Sequence, residues 1–151
     1  MKILGVRAAS NCVRYAVVEW DGTNAKLVNA TEEHRLIYPK GMSAPEDRIS
    51  WLMSEFERIF HHHGHFDRCV VKVSEFGRSE SKGTRATAYA DAVIFLVCKR
   101  SGVPVFGKTY ASLKTKSGDV LSYAENSVGK TSAYWDKQMA DAVAAAWFGR
   151  H

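Results

Sequence analysis

The chain opens with two apolar, β-branched runs, Ile3-Leu4-Gly5-Val6 and Cys12 to Val18, separated by the small residues Ala8, Ala9 and Ser10. This pattern reads as a strand, a tight connection and a second strand paired to the first. Such a pair founds a sheet that later helices must cover. Asp21-Gly22 then marks a hairpin between Val17–Trp20 and Ala25–Val28, so three antiparallel strands are expected over about 2–8, 12–20 and 25–31.

The following stretch, Glu32 to Met42, carries Pro39-Lys40-Gly41 and is expected to be loop. Ser43-Ala44-Pro45-Glu46 has the form of a capping box with an early proline, and Ile49, Leu52, Met53, Phe56, Ile59 and Phe60 recur at helical spacing up to Gly64. A strand is expected over 66–73, a polar segment over 74–83 and an alanine-rich helix over 84–98. A short strand at 103–106, a short helix from Tyr110 and a final helix over 131–148 complete the chain, with 117–127 unassigned. Antiparallel strands followed by β-α-β units imply a mixed sheet, in which a right-handed crossover puts the strand near residue 70 beside the first.

At 151 residues, 46% hydrophobic and 25% charged, the chain is expected to form one domain, residues 1–151. No apolar run reaches the ~18 residues of a membrane span, and the first residues turn polar too soon for a signal peptide. Cys12, Cys69 and Cys98 lie far apart in apolar runs, the pattern of reduced thiols in a cytoplasmic protein rather than of a disulfide frame or zinc site. The net charge of +5 is concentrated: Arg68 to Lys116 holds ten Lys/Arg against Glu75, Glu80 and Asp91. A polyanion-facing surface and a merely solvated basic face account for this equally well.

Other motifs carry less. His61, His62, His63 and His65 close the first helix, but consecutive helical residues point about 100° apart, so no metal site is expected there. Val128-Gly129-Lys130-Thr131 echoes the end of a phosphate-binding loop but lacks the first glycine, replaced by Ala124, and is read as a helix start.

Three stretches together resemble the RNase H-like superfamily, specifically RuvC-type Holliday junction resolvases. Leu4-Gly5-Val6-Arg7-Ala8-Ala9-Ser10 is similar to the family's opening strand, Cys69-Val70-Val71-Lys72 to its fourth strand, and Met139-Ala140-Asp141-Ala142-Val143-Ala144 to its closing helix. The chain also looks like a family of small uncharacterised bacterial proteins of the same plan. The resemblance implies an α/β fold, an RNase H-like (RuvC-like) mixed five-stranded sheet flanked by helices. It also implies a site in which carboxylates hold two magnesium or manganese ions for phosphodiester cleavage.

Carried over by position, those acids fall at Arg7, Lys72 and Gln138, and only Asp141 is kept. A positive side chain ~4 Å from a divalent ion repels it by several kcal/mol even at an effective dielectric near 20. The resemblance therefore implies a degenerate site with no catalytic residue, no metal and no cofactor, in which Asp141 pairs with Arg7 and Lys72. Glu75 is the one acid placed to replace a lost ligand.

The expected function is a catalytically inactive module binding DNA or RNA, with Arg78, Lys82, Arg85, Lys99, Arg100, Lys108 and Lys114 as contacts. The same module is alternatively expected to assemble as a homodimer or with a protein partner. The competing expectation is a divergent Mg²⁺- or Mn²⁺-dependent endonuclease acting on branched or structured DNA.

Overall fold

A computed structural model describes residues 1–77 and 79–151. Strands β1 (Lys2–Ala8) and β2 (Cys12–Trp20) pair antiparallel, with Gly5 opposite Ala16 and Arg7 opposite Arg14. Strand β5 (Arg68–Lys72) lies parallel to β1 on its other side, and β6 (Val105–Lys108) runs parallel to β5 at the sheet's edge. The mixed sheet and the place of β5 beside β1 agree with the sequence reading, but the sheet has six strands rather than five.

The third strand is shorter than expected. β3 (Ala25–Leu27) pairs with the end of β2, and β4 (Arg35–Ile37), inside the expected loop, pairs with its beginning. Between them Asn29 replaces a strand with its side chain. Its Oδ1 accepts from Val17 N at 2.9 Å, and its Nδ2 donates to Tyr15 O at 3.2 Å and Glu33 O at 3.0 Å. An asparagine amide offers both a donor and an acceptor, so it meets backbone groups of β2 that would otherwise lack partners.

Helices α1 (Pro45–His63) and α2 (Lys82–Arg100) cover one face of the sheet, where Leu4, Val6, Val71, Leu52, Phe56 and Ile94 share a core. Each such fully buried side chain contributes about 1.5–3 kcal/mol. Ala44, not Ser43, caps α1, and no side chain bonds its first amides; Pro45 takes the first helical position, where no amide hydrogen is needed. The capping box belongs instead to α2, where Ser81 and Thr84 bond reciprocally.

The opposite face is covered by α5 (Lys137–Phe148), which starts six residues later than the pattern suggests. Short helices α3 (Tyr110–Leu113) and α4 (Val120–Ser127) precede it. Gly129-Lys130-Thr131 therefore lies between helices and does not start one: Lys130 pairs with Glu125, and the buried Thr131 hydroxyl donates to Ala133 O. Asp136 caps α5 by accepting from Met139 N at 2.8 Å.

Contact between α5 and β1 depends on Gly5. A Cβ there would strike Ala142 O and the Cβ of Ala146. Strand alternation puts Ile3, Gly5 and Arg7 on the α5 face, so the close approach at Gly5 carries Asp141 towards Arg7. Among the described residues no helix is long and apolar enough to cross a membrane.

Candidate functional site

β1 and β5 are parallel neighbours; at their carboxyl ends β1 turns within the sheet into β2, whereas β5 leads out to α2 on one face, opposite α5. Such ends are where open α/β sheets form clefts. Arg7, one residue from the end of β1, donates from Nη1 to Lys72 O at 3.1 Å, and its Nε lies 3.2 Å from Asp141 Oδ2. That nitrogen is close enough for an ion pair but not aligned for a hydrogen bond. Asp141 is 1% exposed, and its Oδ1 accepts from the Tyr110 hydroxyl at 2.7 Å.

Lys72 ends β5 on the same face and is likewise 1% exposed. It does not pair with Asp141. Its ammonium donates to Glu75 Oε1 at 2.8 Å and Val73 O at 2.7 Å, and lies 4.0 Å from the centre of the Tyr110 ring. The backbone amide of Tyr110 also donates to Glu75 Oε1, at 2.9 Å. Tyr110 thus ties the two acids into one network, through its amide to Glu75 and through its hydroxyl to Asp141.

Gln138 accepts from Nη1 of Arg14, whose Nη2 meets Asp136 Oδ2 at 2.6 Å. Arg14 is a third cation at this end of the sheet, itself buried and overlooked in the sequence. Its signal was the hairpin register: Arg7 and Arg14 face each other across β1 and β2. Like charges directly opposite destabilise a strand pair. Here each guanidinium has its own carboxylate, Asp141 for Arg7 and Asp136 for Arg14.

Burial raises the Asp141 carboxyl above its ordinary range, against the pull of Tyr110, Arg7 and Lys72. Burial also lowers the Lys72 ammonium, with Arg7 adding to the effect and Glu75 opposing it. For Glu75, burial is outweighed by Lys72 and the Tyr110 amide, so its carboxyl sits low. A further acid approaches from α2: burial lifts Asp91 from 3.8 to about 7, although Arg7 and Lys72 pull the other way.

This donor set does not fit a pair of hard divalent ions. Asp141 engages both oxygens, on Arg7 and on the Tyr110 hydroxyl, and Glu75 Oε1 is shared between Lys72 and the Tyr110 amide. Among the described residues no group of three or more His, Cys, Asp or Glu side chains is placed to hold a metal. That includes the histidines: the His63 ring packs against Tyr15 and Phe66, and His62 reaches Glu32 only at 3.9 Å.

The expected nucleic-acid residues do not form one patch. Lys82 and Arg85 lie in the first turn of α2, whereas Lys99 and Arg100 lie in its last, about 25 Å away at 1.5 Å per residue. Lys108 ends β6 opposite Lys72, at the cleft end, and lies over the Phe148 and Phe106 rings. Lys114 is exposed after α3, in a left-handed backbone conformation. Arg78 lies outside the described residues. Phe76, also overlooked, is 91% exposed directly after Glu75. A bare aromatic in a glycine-bearing polar loop was the clue.

The architecture is the RNase H-like fold in its RuvC-type form. Thermus thermophilus RuvC superimposes with a TM-score of 0.76 at 17% identity, covering 98% of this chain and 92% of that one. The same protein in complex with a Holliday junction substrate gives 0.75, with the same identity and coverage. The yeast mitochondrial Holliday junction resolvase gives 0.60 at 11% identity, covering 97% and 76% of the two chains. Identities this low establish the fold alone. No protein-family model and no curated protein sequence matches the chain.

Proposed function

We propose that the chain is a nucleic-acid-binding module on a RuvC-type frame that does not cleave through metal ions. The observation behind this reading is the pair of side chains at the ends of β1 and β5, Arg7 on Asp141 and Lys72 on Glu75. Fixed cations occupy the carboxylates that a metal mechanism needs free. The net charge of +5, the exposed Phe76 and the junction-bound relative of the same fold support a nucleic-acid ligand.

The test uses a labelled four-way DNA junction and a linear duplex at low salt. Binding is expected, with affinity falling by about 0.9 log unit per log unit of salt for each phosphate neutralised. No cleavage is expected in magnesium or manganese. Absence of binding at low salt overturns the nucleic-acid reading.

A second reading, a divergent metal-dependent endonuclease, is favoured by Glu75 and Asp141 converging on one tyrosine. It predicts junction cleavage abolished by chelator and by Asp141→Ala. A third, assembly with a second copy or a protein partner, draws on the exposed Ala88, Ala92 and Leu96 on one stripe of α2. A monomer by light scattering at working concentration counts against the self-association form.

A further inference from the structure

A cavity of about 450 Å³ opens between the first turns of α1 and α2, close to Ser10 beyond the end of β1. Its size falls within the range of small-molecule sites. Ile49, Leu52 and Ala86 give its lining an apolar part, and Tyr38 and Tyr89 contribute aromatic rings to it. None of its lining residues is acidic, whereas Arg48, Lys82 and Arg85 are all cationic.

These features are held in place. The Tyr38 ring packs on Trp51 with centres 5.3 Å apart, and the Arg48 guanidinium lies 4.6 Å from the Tyr38 ring centre. Arg48 donates to the carbonyls of Met42 at 2.7 Å and Ser10 at 2.9 Å, so its charge is fixed by neutral groups. Among the described residues neither Arg48 nor Lys82 has a carboxylate within ion-pair distance; Arg85 has Glu80. Tyr89 is 42% exposed and free of core duties.

Apolar lining, aromatic rings and the uncompensated positive charge of Arg48 and Lys82 together select a ligand with a flat ring and an attached anion. We infer that the cavity receives one unpaired nucleotide of a bound strand, its base between Tyr38 and Tyr89 and its phosphate at Lys82 and Arg48. This rests on the nucleic-acid reading above and adds what that reading lacks, a preference for an unpaired base. Aromatic stacking suits any base, so the preference is for the unpaired state and not for sequence.

The test compares a DNA duplex carrying one unpaired 2-aminopurine with the fully paired duplex of equal length, and with free AMP. The unpaired duplex is expected to bind roughly five- to a hundredfold more tightly, with quenched 2-aminopurine fluorescence and with AMP binding more weakly than either. Tyr89→Phe keeps that ratio, Tyr89→Ala brings it within about twofold of one, and Lys26→Gln on distant β3 leaves it unchanged. Lys82→Gln lowers affinity for both duplexes. Unchanged far-UV circular dichroism checks that each variant is folded.

Equal affinity for the two duplexes, or a ratio that survives Tyr89→Ala, overturns the pocket while leaving nucleic-acid binding standing. AMP binding as tightly as the unpaired duplex overturns the assignment to a strand. Failure of both duplexes to bind overturns the underlying reading and this one with it.

Discussion

Asp91→Asn is expected to stabilise the protein above neutral pH and to leave its acidic stability unchanged. Asp91 Oδ1 is buried and has no hydrogen-bond partner among the described residues. Burial raises its carboxyl from 3.8 to about 7, with Arg7 and Lys72 only partly compensating. The native state therefore keeps a proton at a pH where the unfolded chain has lost it. Since the folded state binds more protons, stability falls as pH rises from about 4 to about 7 and is level beyond. Three pH units at about 1.4 kcal/mol each give a loss of about 4 kcal/mol.

Asparagine has the same shape and no charge to bury. Urea unfolding of both proteins at pH 4, 6 and 8 is expected to show a stability difference growing from near zero to about 4 kcal/mol. With a denaturant slope of about 2 kcal/mol per molar, the midpoint moves by about 2 M at pH 8. The dependence on pH, and not the size of the difference at any one pH, is the decisive readout. A difference that does not change with pH, or a wild-type protein as stable as the variant at pH 8, refutes the reasoning.

Asp141→Ala leaves Arg7 and the Tyr110 hydroxyl buried without their acceptor, and is expected to cost about 3–5 kcal/mol by urea unfolding at pH 7. Arg7→Met with Asp141→Leu removes both charges together and is expected to recover most of that loss. Gly5→Ala drives a methyl into Ala142 of α5 and is expected to cost about 3 kcal/mol or more, seen as a lowered thermal midpoint. Ser81→Ala removes the acceptor for Thr84 N at the start of α2 and is expected to cost about 1 kcal/mol.

Much of this architecture was readable in the residues, because strands and amphipathic helices write their periods locally. β1, β2 and the body of α1 follow directly from β-branched runs and the Leu52, Phe56, Ile59 stripe. The errors fell where a side chain took over a backbone role. Asn29 ended β3 early by bonding β2 itself, and Asp136 set the start of α5 although the apolar pattern begins before it. α1 starts at Pro45 as its sequence predicts but without the capping box read at Ser43, whereas Ser81 and Thr84 form a true box at the start of α2.

The candidate site divides in the same way. Arg7, Lys72 and Asp141 were picked out from the sequence, and their meeting at one sheet end followed from strand order. Partner choice did not. Lys72 turned to Glu75, Arg14 emerged as a third cation beside Arg7 and Lys72, and Asp91 came in from the opposite layer. Sequence alone determined the main strands and helices, though not β4 or α4, and the residue types at the strand ends, since these are local properties of the chain. Only the tertiary structure decided which cation faces which acid, and that a cavity opens between α1 and α2. The pairing depends on how closely α5 approaches the sheet, a distance set by Gly5 two residues before Arg7, and the cavity on how α1 and α2 pack on the opposite face.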